Sequence, residues 1–232
     1  MGSLRSVLKN LYRKYWAARV AYVKTKIFLK QYLELTDDEL RLYESEFLKI
    51  FRSDSFAIGG PQAILKDDGL ALFLLVRKLK PQLMLETGTY QGYSGHVNIQ
   101  ALKANGGGSF ITCDIVDYRL FKEDFDDVRF QFKLGSSVQN FVDIDFKKVD
   151  VFFHDSNHSY DNVMFEIGTA VNNAVKLILC HDFGVNNIHN TIKAKSGKGC
   201  RVGFIEAIGD KYDWHEIPTL NGIGLAVLKS TN

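Results

Sequence analysis

Two short apolar runs in the second half of the chain each end in a histidine and an aspartate. The polar side chains that follow these runs are Asp155, His158, His181 and Asp182. Imidazole is the side chain best suited to accept a proton near neutral pH. Carboxylate and imidazole groups together also suit divalent ions such as Mg²⁺, Mn²⁺ or Zn²⁺. The pattern therefore indicates either proton transfer or a metal centre.

Both interpretations use the same residues. We predict Asp155, His158 and His181 as catalytic residues, and Asp155, His181 and Asp182 as ligands of Mg²⁺ or another divalent cation. If His181 binds the metal, His158 is the better base; without a metal, His181 is the first choice. The structural alternatives are that His158 caps the following helix and that the aspartates hold loop amides. His154 should point away from the site, because side chains alternate along a strand.

A glycine-rich turn follows an earlier apolar run, 83–85, and precedes a second run, 109–113, that ends in Asp114. The residues of this turn that we predict to bind a cofactor are Glu86, Thr87, Gly88, Tyr90, Gly92 and Ser94. A strand, a glycine turn, a helix and a second strand ending in an acid form a nucleotide-type pocket. The acid lies about 20 residues beyond the turn and binds ribose hydroxyls, and the spacing of Gly92 and Asp114 agrees with this rule.

The glycine pattern also indicates which nucleotide the turn accepts. Dinucleotide-binding turns need a glycine where the backbone approaches a pyrophosphate, and Tyr90 stands at that position. Glu86 would repel phosphate, whereas it would attract the amine and the sulfonium of S-adenosylmethionine. We therefore predict S-adenosylmethionine as the cofactor, bound by the turn, by Asp114 and by Asp155, and not a nicotinamide dinucleotide. Ser136 is expected either to touch the adenine or to cap the next helix.

The chain from Pro81 onward alternates between strand and helix patterns. The predicted strands are 82–86, 109–114, 128–133, 149–154, 176–181, 201–206 and 222–229, and the predicted helices are 93–104, 119–125, 137–142 and 159–172. This alternation predicts an α/β fold: a doubly wound, mostly parallel, seven-stranded Rossmann-like sheet, preceded by an N-terminal helical extension. Because parallel strands end at the same edge of a sheet, the polar residues named above should converge there.

The N-terminal part differs in charge from the rest of the chain. Residues 1–30 contain eight Lys or Arg and no acid, although the net charge of the 232-residue chain is only +2. Apolar residues recur at helical spacing over 4–22, which predicts a basic amphipathic helix. Its apolar face would pack on its own domain or on a second subunit, as in a homo-oligomer, or lie on an anionic membrane surface. No nucleic-acid-binding motif is recognisable, so no nucleic acid is expected as a partner.

We divide the chain into an N-terminal basic extension, 1–55, and a cofactor-binding domain, 56–232. No apolar run reaches the roughly 18 residues of a membrane span, and no secretory signal is recognisable. The three cysteines, Cys113, Cys180 and Cys200, form no close pair in the sequence, which argues against a disulfide framework. We predict a cytoplasmic protein, with peripheral membrane contact through residues 4–22 as an alternative.

These motifs resemble those of class I S-adenosylmethionine-dependent methyltransferases over roughly 60–230. The resemblance is to the branch related to macrocin O-methyltransferase and cephalosporin-hydroxylase-type proteins, and the matching residues are Glu86, Gly88, Gly92, Ser94, Asp114, 154–160 and 181–183. Ser156 and Asn157 replace the glycine and aspartate usual in this branch, and Ser136 stands where an acid often meets the adenine amine. The basic N-terminal helix lies outside the shared core.

The resemblance implies O-methylation of a small-molecule or sugar hydroxyl, with or without a divalent metal. The alternative is a non-catalytic module that keeps the fold and the cofactor and docks on a membrane or a partner through its N-terminal helix. The acceptor would lie between a lid near 53–68 and the loop 183–200. The basic residues of this loop and its end, which hint at an anionic acceptor, are Lys193, Lys195, Lys198 and Arg201.

Overall fold

The computed structural model describes residues 4–51, 64–120, 127–185, 187 and 199–230, with side chains described from Tyr15 onward. The described helices are α1 (Leu4–Tyr32), α2 (Asp37–Phe51), α3 (Lys66–Leu79), α4 (Tyr93–Ala104), α5 (Ser137–Asn140), α6 (Tyr160–Asn172) and α7 (Cys200–Ile208). Short 3₁₀ turns cover Phe141–Asp143, Phe146–Lys148 and Gly209–Lys211.

The described strands form one sheet at the centre of the molecule. They are β1 (Leu83–Thr87), β2 (Gly108–Asp114), β3 (Val128–Leu134), β4 (Val151–His154), β5 (Leu177–Cys180), β6 (Tyr212–Ile217) and β7 (Ile223–Leu228). Their order is β3-β2-β1-β4-β5-β7-β6. Only the pairs of β7 with β5 and with β6 are antiparallel among the described strands. The predicted doubly wound, mostly parallel, seven-stranded fold is confirmed.

One strand prediction is wrong. Residues 201–206 belong to α7, and the strand that joins the sheet near this point is β6, which begins at Tyr212. Cys200, Phe204 and Ile208 are buried at four-residue spacing, which is the periodicity of a helix packed on one side. A short run with several apolar residues does not by itself distinguish a strand from a buried helix.

Two further helix predictions changed in detail. Residues 137–142 form a single α-helical turn, α5, that continues as a 3₁₀ turn. Most of the predicted helix 119–125 falls on residues 121–126, outside the described part of the chain, and Arg119 and Leu120 are not helical.

The core lies on both faces of the sheet, because successive strand residues point to opposite sides. Met84 and Phe153 face the layer of α1, α2, α3 and α4, whereas Leu85 and Phe152 face α6 and α7. All four of these side chains are fully buried. The strands β1 and β4 therefore have no water-exposed face, as expected of central parallel strands.

The C-terminal half of α1 packs on its own domain. Ala21, Thr25, Leu29 and Leu33 are buried at four-residue spacing, and α1 contacts α3 and β6. For these residues the structure favours packing on the domain, whereas the side chains of residues 4–14 lie outside the described part. None of the described helices is long and apolar enough to cross a membrane. The predicted boundary at 55/56 also falls outside the described residues and stays a prediction.

Candidate active site

A cavity of about 740 Å³ opens at the carboxyl ends of β1, β2, β4 and β5. The parallel register brings these ends together: Thr87 of β1 lies opposite Cys113 of β2 and His154 of β4. The predicted site residues that line the cavity are Gly88, Tyr90, Ser94, Asp114, Ser136, Asp155, His158, His181 and Asp182. The structure thus brings together most of the residues that the sequence singled out.

Gly88 holds the turn after β1 against its neighbours. Its φ angle is +89°, and a Cβ atom there would lie 2.0 Å from the carbonyl oxygen of Asp155. Its amide donates to the carbonyl of Cys113 at 2.9 Å. Because only glycine has no Cβ and adopts this φ freely, Gly88 fixes the distance between the turn and the Asp155 loop.

Asp114 lies at the end of β2 beside Tyr90. The backbone amide of Tyr90 donates to Oδ2 of Asp114 at 2.7 Å, and the φ angle of Tyr90 is +43°. The ring of Tyr90 stands edge-on to Tyr118, with 6.0 Å between ring centroids. Asp114 therefore orients the glycine-rich turn and also presents its carboxylate to the cavity.

Three residues predicted to bind the cofactor do not line the cavity: Glu86, Thr87 and Gly92. Glu86 is fully buried, and its Oε1 accepts from Oγ1 of Thr112 at 2.9 Å. Burial raises the pKa of Glu86 to about 8. The structure places this carboxyl beneath the turn and not in contact with the cavity, because the β1 side chain at this position points into the protein.

Ser136 caps the next helix and also lines the cavity, whereas its contact with adenine stays a prediction. It is the N-cap of α5, where its Oγ accepts from the amide of Gln139 at 3.3 Å. A side chain that caps a helix is held in a single orientation, so Ser136 presents a fixed hydroxyl at the wall of the cavity.

His181 is held between two carboxylates. Its Nδ1 lies 2.9 Å from Oδ1 of Asp155, and its Nε2 lies 3.2 Å from Oδ2 of Asp68. Burial opposes the charged imidazole, but Asp155 and then Asp68 raise the pKa of His181 well above its usual value. The ring is therefore an imidazolium at neutral pH, which makes it a poor proton acceptor.

Asp68 is a site residue that sequence analysis missed. It lies in the first turn of α3 and is fully buried, and its Oδ2 also accepts from the amide of Leu65 at 3.0 Å. A signal was present in the sequence: Asp67 and Asp68 enter an otherwise apolar helix. Aspartate is rarely buried without a charged partner, so this pair of aspartates indicates a positively charged group nearby.

His158 stands at the edge of this network. Its Nε2 lies 3.6 Å from Oδ1 of Asp155 and 3.8 Å from Oδ2 of Asp182. The N-cap of α6 is Ser159, so His158 does not cap that helix. Asp182 has a φ angle of +55° and accepts from Nδ2 of Asn187 at 2.8 Å. The carboxylates of Asp155 and Asp182 thus both face the imidazole of His158, which also lines the cavity.

The predicted metal centre does not fit this arrangement. Asp155, His158 and His181 do offer ligand atoms within 4.8 Å of one another. However, both ring nitrogens of His181 already face carboxylates, at 2.9 and 3.2 Å. A ligand histidine needs one nitrogen with a free lone pair, and Mg²⁺ prefers oxygen ligands. The positive charge between these carboxylates is supplied by His181 itself.

Of the other histidines and cysteines that the structure describes, only Cys113 lines the cavity. His154 is fully buried and does not line the cavity, although its ring lies 5.4 Å from that of His158, and His189 lies outside the described residues. His215 is exposed and its ring contacts Tyr32 at 5.2 Å. The three cysteines are buried and form no disulfide bond, and the sequence predicted no disulfide framework.

Comparison with known proteins supports the resemblance seen in the motifs over part of the chain. Residues 85–183 match the family model described as a methyltransferase domain. This segment of the chain is therefore similar to a methyltransferase domain, in agreement with the resemblance seen in its motifs. The comparison with curated protein sequences gives no significant match.

Solved structures support the fold assignment. The O-methyltransferase from Bacillus cereus in complex with SAH is 17% identical, with a TM-score of 0.57, over 88% of this chain and 96% of that chain. A putative O-methyltransferase from Klebsiella pneumoniae is 17% identical, with a TM-score of 0.56 and the same coverage. The O-methyltransferase TomG from Streptomyces achromogenes, in complex with SAM, is 15% identical, with a TM-score of 0.54, over 80% and 90% of the two chains.

Proposed function

We propose that this protein transfers a methyl group from S-adenosylmethionine to a hydroxyl oxygen of a small polar acceptor, such as a sugar. The observation that carries the proposal is the joint placement of Asp114 and His158 on one cavity at the carboxyl edge of the sheet. The first is an acid where a ribose is bound in this type of fold, and the second is a potential base. Structural relatives with bound SAH or SAM make the cofactor assignment the natural one.

The cofactor would lie across the glycine-rich turn. Asp114 accepts hydrogen bonds from the ribose hydroxyls, and Ser136 lies on the wall where the adenine would lie. Ser94 and Asp155 line the part between the turn and the histidines, where the amine and sulfonium are expected. Glu86, Thr87 and Gly92 then act by shaping the turn from below.

Methyl transfer is a displacement in which the bond from carbon to sulfur breaks as the bond from carbon to oxygen forms. Most of the rate comes from alignment of the three reacting atoms. The acceptor hydroxyl loses its proton to His158, and the carboxylates of Asp155 and Asp182, 3.6 and 3.8 Å from its Nε2, stabilise the imidazolium that forms. His181 orients Asp155 through its 2.9 Å contact and opposes the burial that raises the pKa of this carboxyl.

The lining of the cavity supports a polar acceptor. Asparagine side chains recur around it: Asn157, Asn162, Asn187 and Asn221. Amides both donate and accept hydrogen bonds, which suits a polyhydroxylated acceptor. The expected anionic acceptor has less support, because Arg201 pairs with Glu216 and the three loop lysines lie outside the described residues.

Calorimetry tests the cofactor assignment directly. The full chain should bind S-adenosylmethionine and S-adenosylhomocysteine but not NAD. Asp114→Asn should weaken both affinities at least about tenfold, since it removes a charge-assisted hydrogen bond of about 1.5–3 kcal/mol. Asp145→Asn, on the surface, is the control and should bind as the wild type does. Binding of NAD alone, or of none of the three compounds, would refute the proposal.

A peripheral membrane role for α1 stands as a second proposal. Tyr15 is 63% and Trp16 60% exposed, and eight basic residues lie within residues 1–30. Aromatic and basic residues together favour an anionic lipid surface. Co-sedimentation with phosphatidylserine vesicles, lost at high salt and in the triple variant Arg5→Glu, Lys9→Glu, Arg13→Glu, is the expected result. Equal sedimentation with neutral vesicles would contradict it.

A further inference from the structure

Three side chains from different parts of the chain meet on the buried side of the strand ends. His154 ends β4, Cys180 ends β5 and Cys200 begins α7. All three are fully buried, and their donor atoms lie within 4.8 Å of one another. This group, which we call the Cys–His cluster, takes no part in the proposed methyl transfer.

The orientation of His154 is fixed by a carboxylate. Its Nδ1 lies 2.6 Å from Oε2 of Glu166, and Glu166 is itself held by Oγ1 of Thr87 at 2.6 Å and by Oγ of Ser156 at 2.9 Å. The other ring nitrogen, Nε2, is buried, and the ring interacts with the thiol of Cys200. A histidine held by a carboxylate at one nitrogen and presenting the other is the usual arrangement of a metal ligand.

The spacing of the sulfurs suits a coordinated ion. Sγ of Cys180 and Sγ of Cys200 are 3.4 Å apart, and the carbonyl oxygen of His181 lies 3.6 and 3.8 Å from them. Zinc–sulfur bonds of about 2.3 Å and zinc–oxygen bonds of about 2.1 Å give tetrahedral edges of about 3.6–3.8 Å. The observed distances are therefore close to the edges of a zinc site. The sulfur–sulfur distance of 3.4 Å exceeds the roughly 2.05 Å of a disulfide bond.

We propose that Cys180, Cys200 and His154 bind one zinc ion, with the carbonyl oxygen of His181 as the fourth ligand. Thiolate and imidazole groups select zinc among the divalent ions common in proteins. The ion replaces thiol and imidazolium protons, which are released on binding.

Such an ion would have a structural role next to the catalytic groups. It would tie α7 to the ends of β4 and β5, directly before Asp155 and Asp182. The proposal rests on the fold and the cluster alone, so it stands or falls independently of the acceptor and of the methyl transfer.

Metal analysis of the reduced full chain, purified without a chelator and without a polyhistidine tag, is the first test. One zinc per chain is expected by elemental analysis. Cobalt(II) added to the zinc-free protein should give a sulfur-to-cobalt charge-transfer band, which a site made of carboxylates and histidines cannot give. Glu166→Gln should weaken zinc binding about 10–100-fold, as the loss of a ligand-orienting carboxylate does.

Matched variants locate the ion. Cys180→Ser, Cys200→Ser and His154→Gln should each lose the stoichiometric zinc and the cobalt band. Cys113→Ser, another buried cysteine, and His158→Gln should keep both, and near-ultraviolet circular dichroism reports whether each variant is folded. Reduced wild type that binds no zinc, or zinc that is retained in both folded cluster serine variants, would overturn the proposal.

Discussion

Nδ1 of His181 lies 2.9 Å from Oδ1 of Asp155, and this contact joins the ends of two adjacent parallel strands. The ring is also held from α3, since its Nε2 lies 3.2 Å from Oδ2 of Asp68. A buried imidazolium between two carboxylates partly neutralises an acidic cavity floor from within. For this reason we propose His158, and not His181, as the base.

Replacing the proposed base tests the division of roles between the two histidines. His158→Gln should lower kcat about 10²–10⁴-fold, the usual contribution of a general base, while the affinity for S-adenosylmethionine changes little. His215→Gln, exposed on β6, is the control. Steady-state kinetics combined with calorimetry separates the two effects, and a His158 variant with wild-type kcat would remove this residue from the mechanism.

The ion pair between Asp68 and His181 should matter for stability. Asp68→Asn removes a buried partner of a buried cation, which costs about 3–5 kcal/mol in comparable cases. Asp38→Asn on the exposed surface of α2 should cost less than about 1 kcal/mol, because its ion pair with Arg41 is open to solvent. Urea unfolding of both variants gives the comparison, and similar small losses would show that Asp68 is not needed to hold His181.

A methyl group at the glycine turn should disrupt the site. Gly88→Ala would place its Cβ 2.0 Å from a backbone oxygen at a φ of +89°, so we expect a loss of more than about 2 kcal/mol and of cofactor binding. Gly168→Ala in α6 is a matched control, since a Cβ there meets no atom within 4 Å. That change should stabilise the protein by about 0.5–1 kcal/mol. Thermal unfolding measures the stability and cofactor titration measures the affinity. A Gly88→Ala variant that equals the wild type in both would contradict the prediction.

The buried carboxyl of Glu86 should make stability depend on pH. Its folded pKa of about 8 lies above the usual 4.5 of a glutamate, so the folded state holds a proton that the unfolded chain releases. Stability therefore falls as the pH rises from about 4.5 to 8, by at most about 1.4 kcal/mol per pH unit from this group. Glu86→Gln should flatten that dependence in unfolding curves of the cofactor-free protein. If the pH dependence of the unfolding free energy is the same in Glu86→Gln as in the wild type, another ionisable group causes it.

The chemistry should proceed without added Mg²⁺. His181 already faces Asp155 and Asp182, the two carboxylates that a cation would need. Adding Mg²⁺ to EDTA-treated enzyme should therefore change the rate less than about twofold. A metal that acted on the reacting oxygen would contribute several kcal/mol, which is a much larger change in rate. The zinc content is measured in the same samples, so that loss of the ion proposed for the Cys–His cluster is not mistaken for a catalytic requirement. Strong dependence on Mg²⁺ at constant zinc would restore the metal mechanism.

Local patterns predicted much of the site because strand direction fixes where polar residues emerge. Asp155 and Asp182 each follow an apolar run, and parallel strands bring such ends to one edge, so their convergence with His158 could be predicted. Glu86 shows the limit of this reasoning. It ends the same kind of run as Asp114, but the direction of its side chain relative to the cavity depends on the strand pleat and on the turn, and it lies beneath the surface.

The sequence alone determined the fold class, the cofactor turn and the polar strand ends, because hydrophobic periodicity and glycine positions act over a few residues. The tertiary structure determined which residues far apart in the sequence contact each other. Asp68 meets His181, and Cys200 meets Cys180 and His154, across long stretches of chain. Such pairings depend on how helices dock on a sheet, and docking is settled by the packing of the whole core, which no local pattern records.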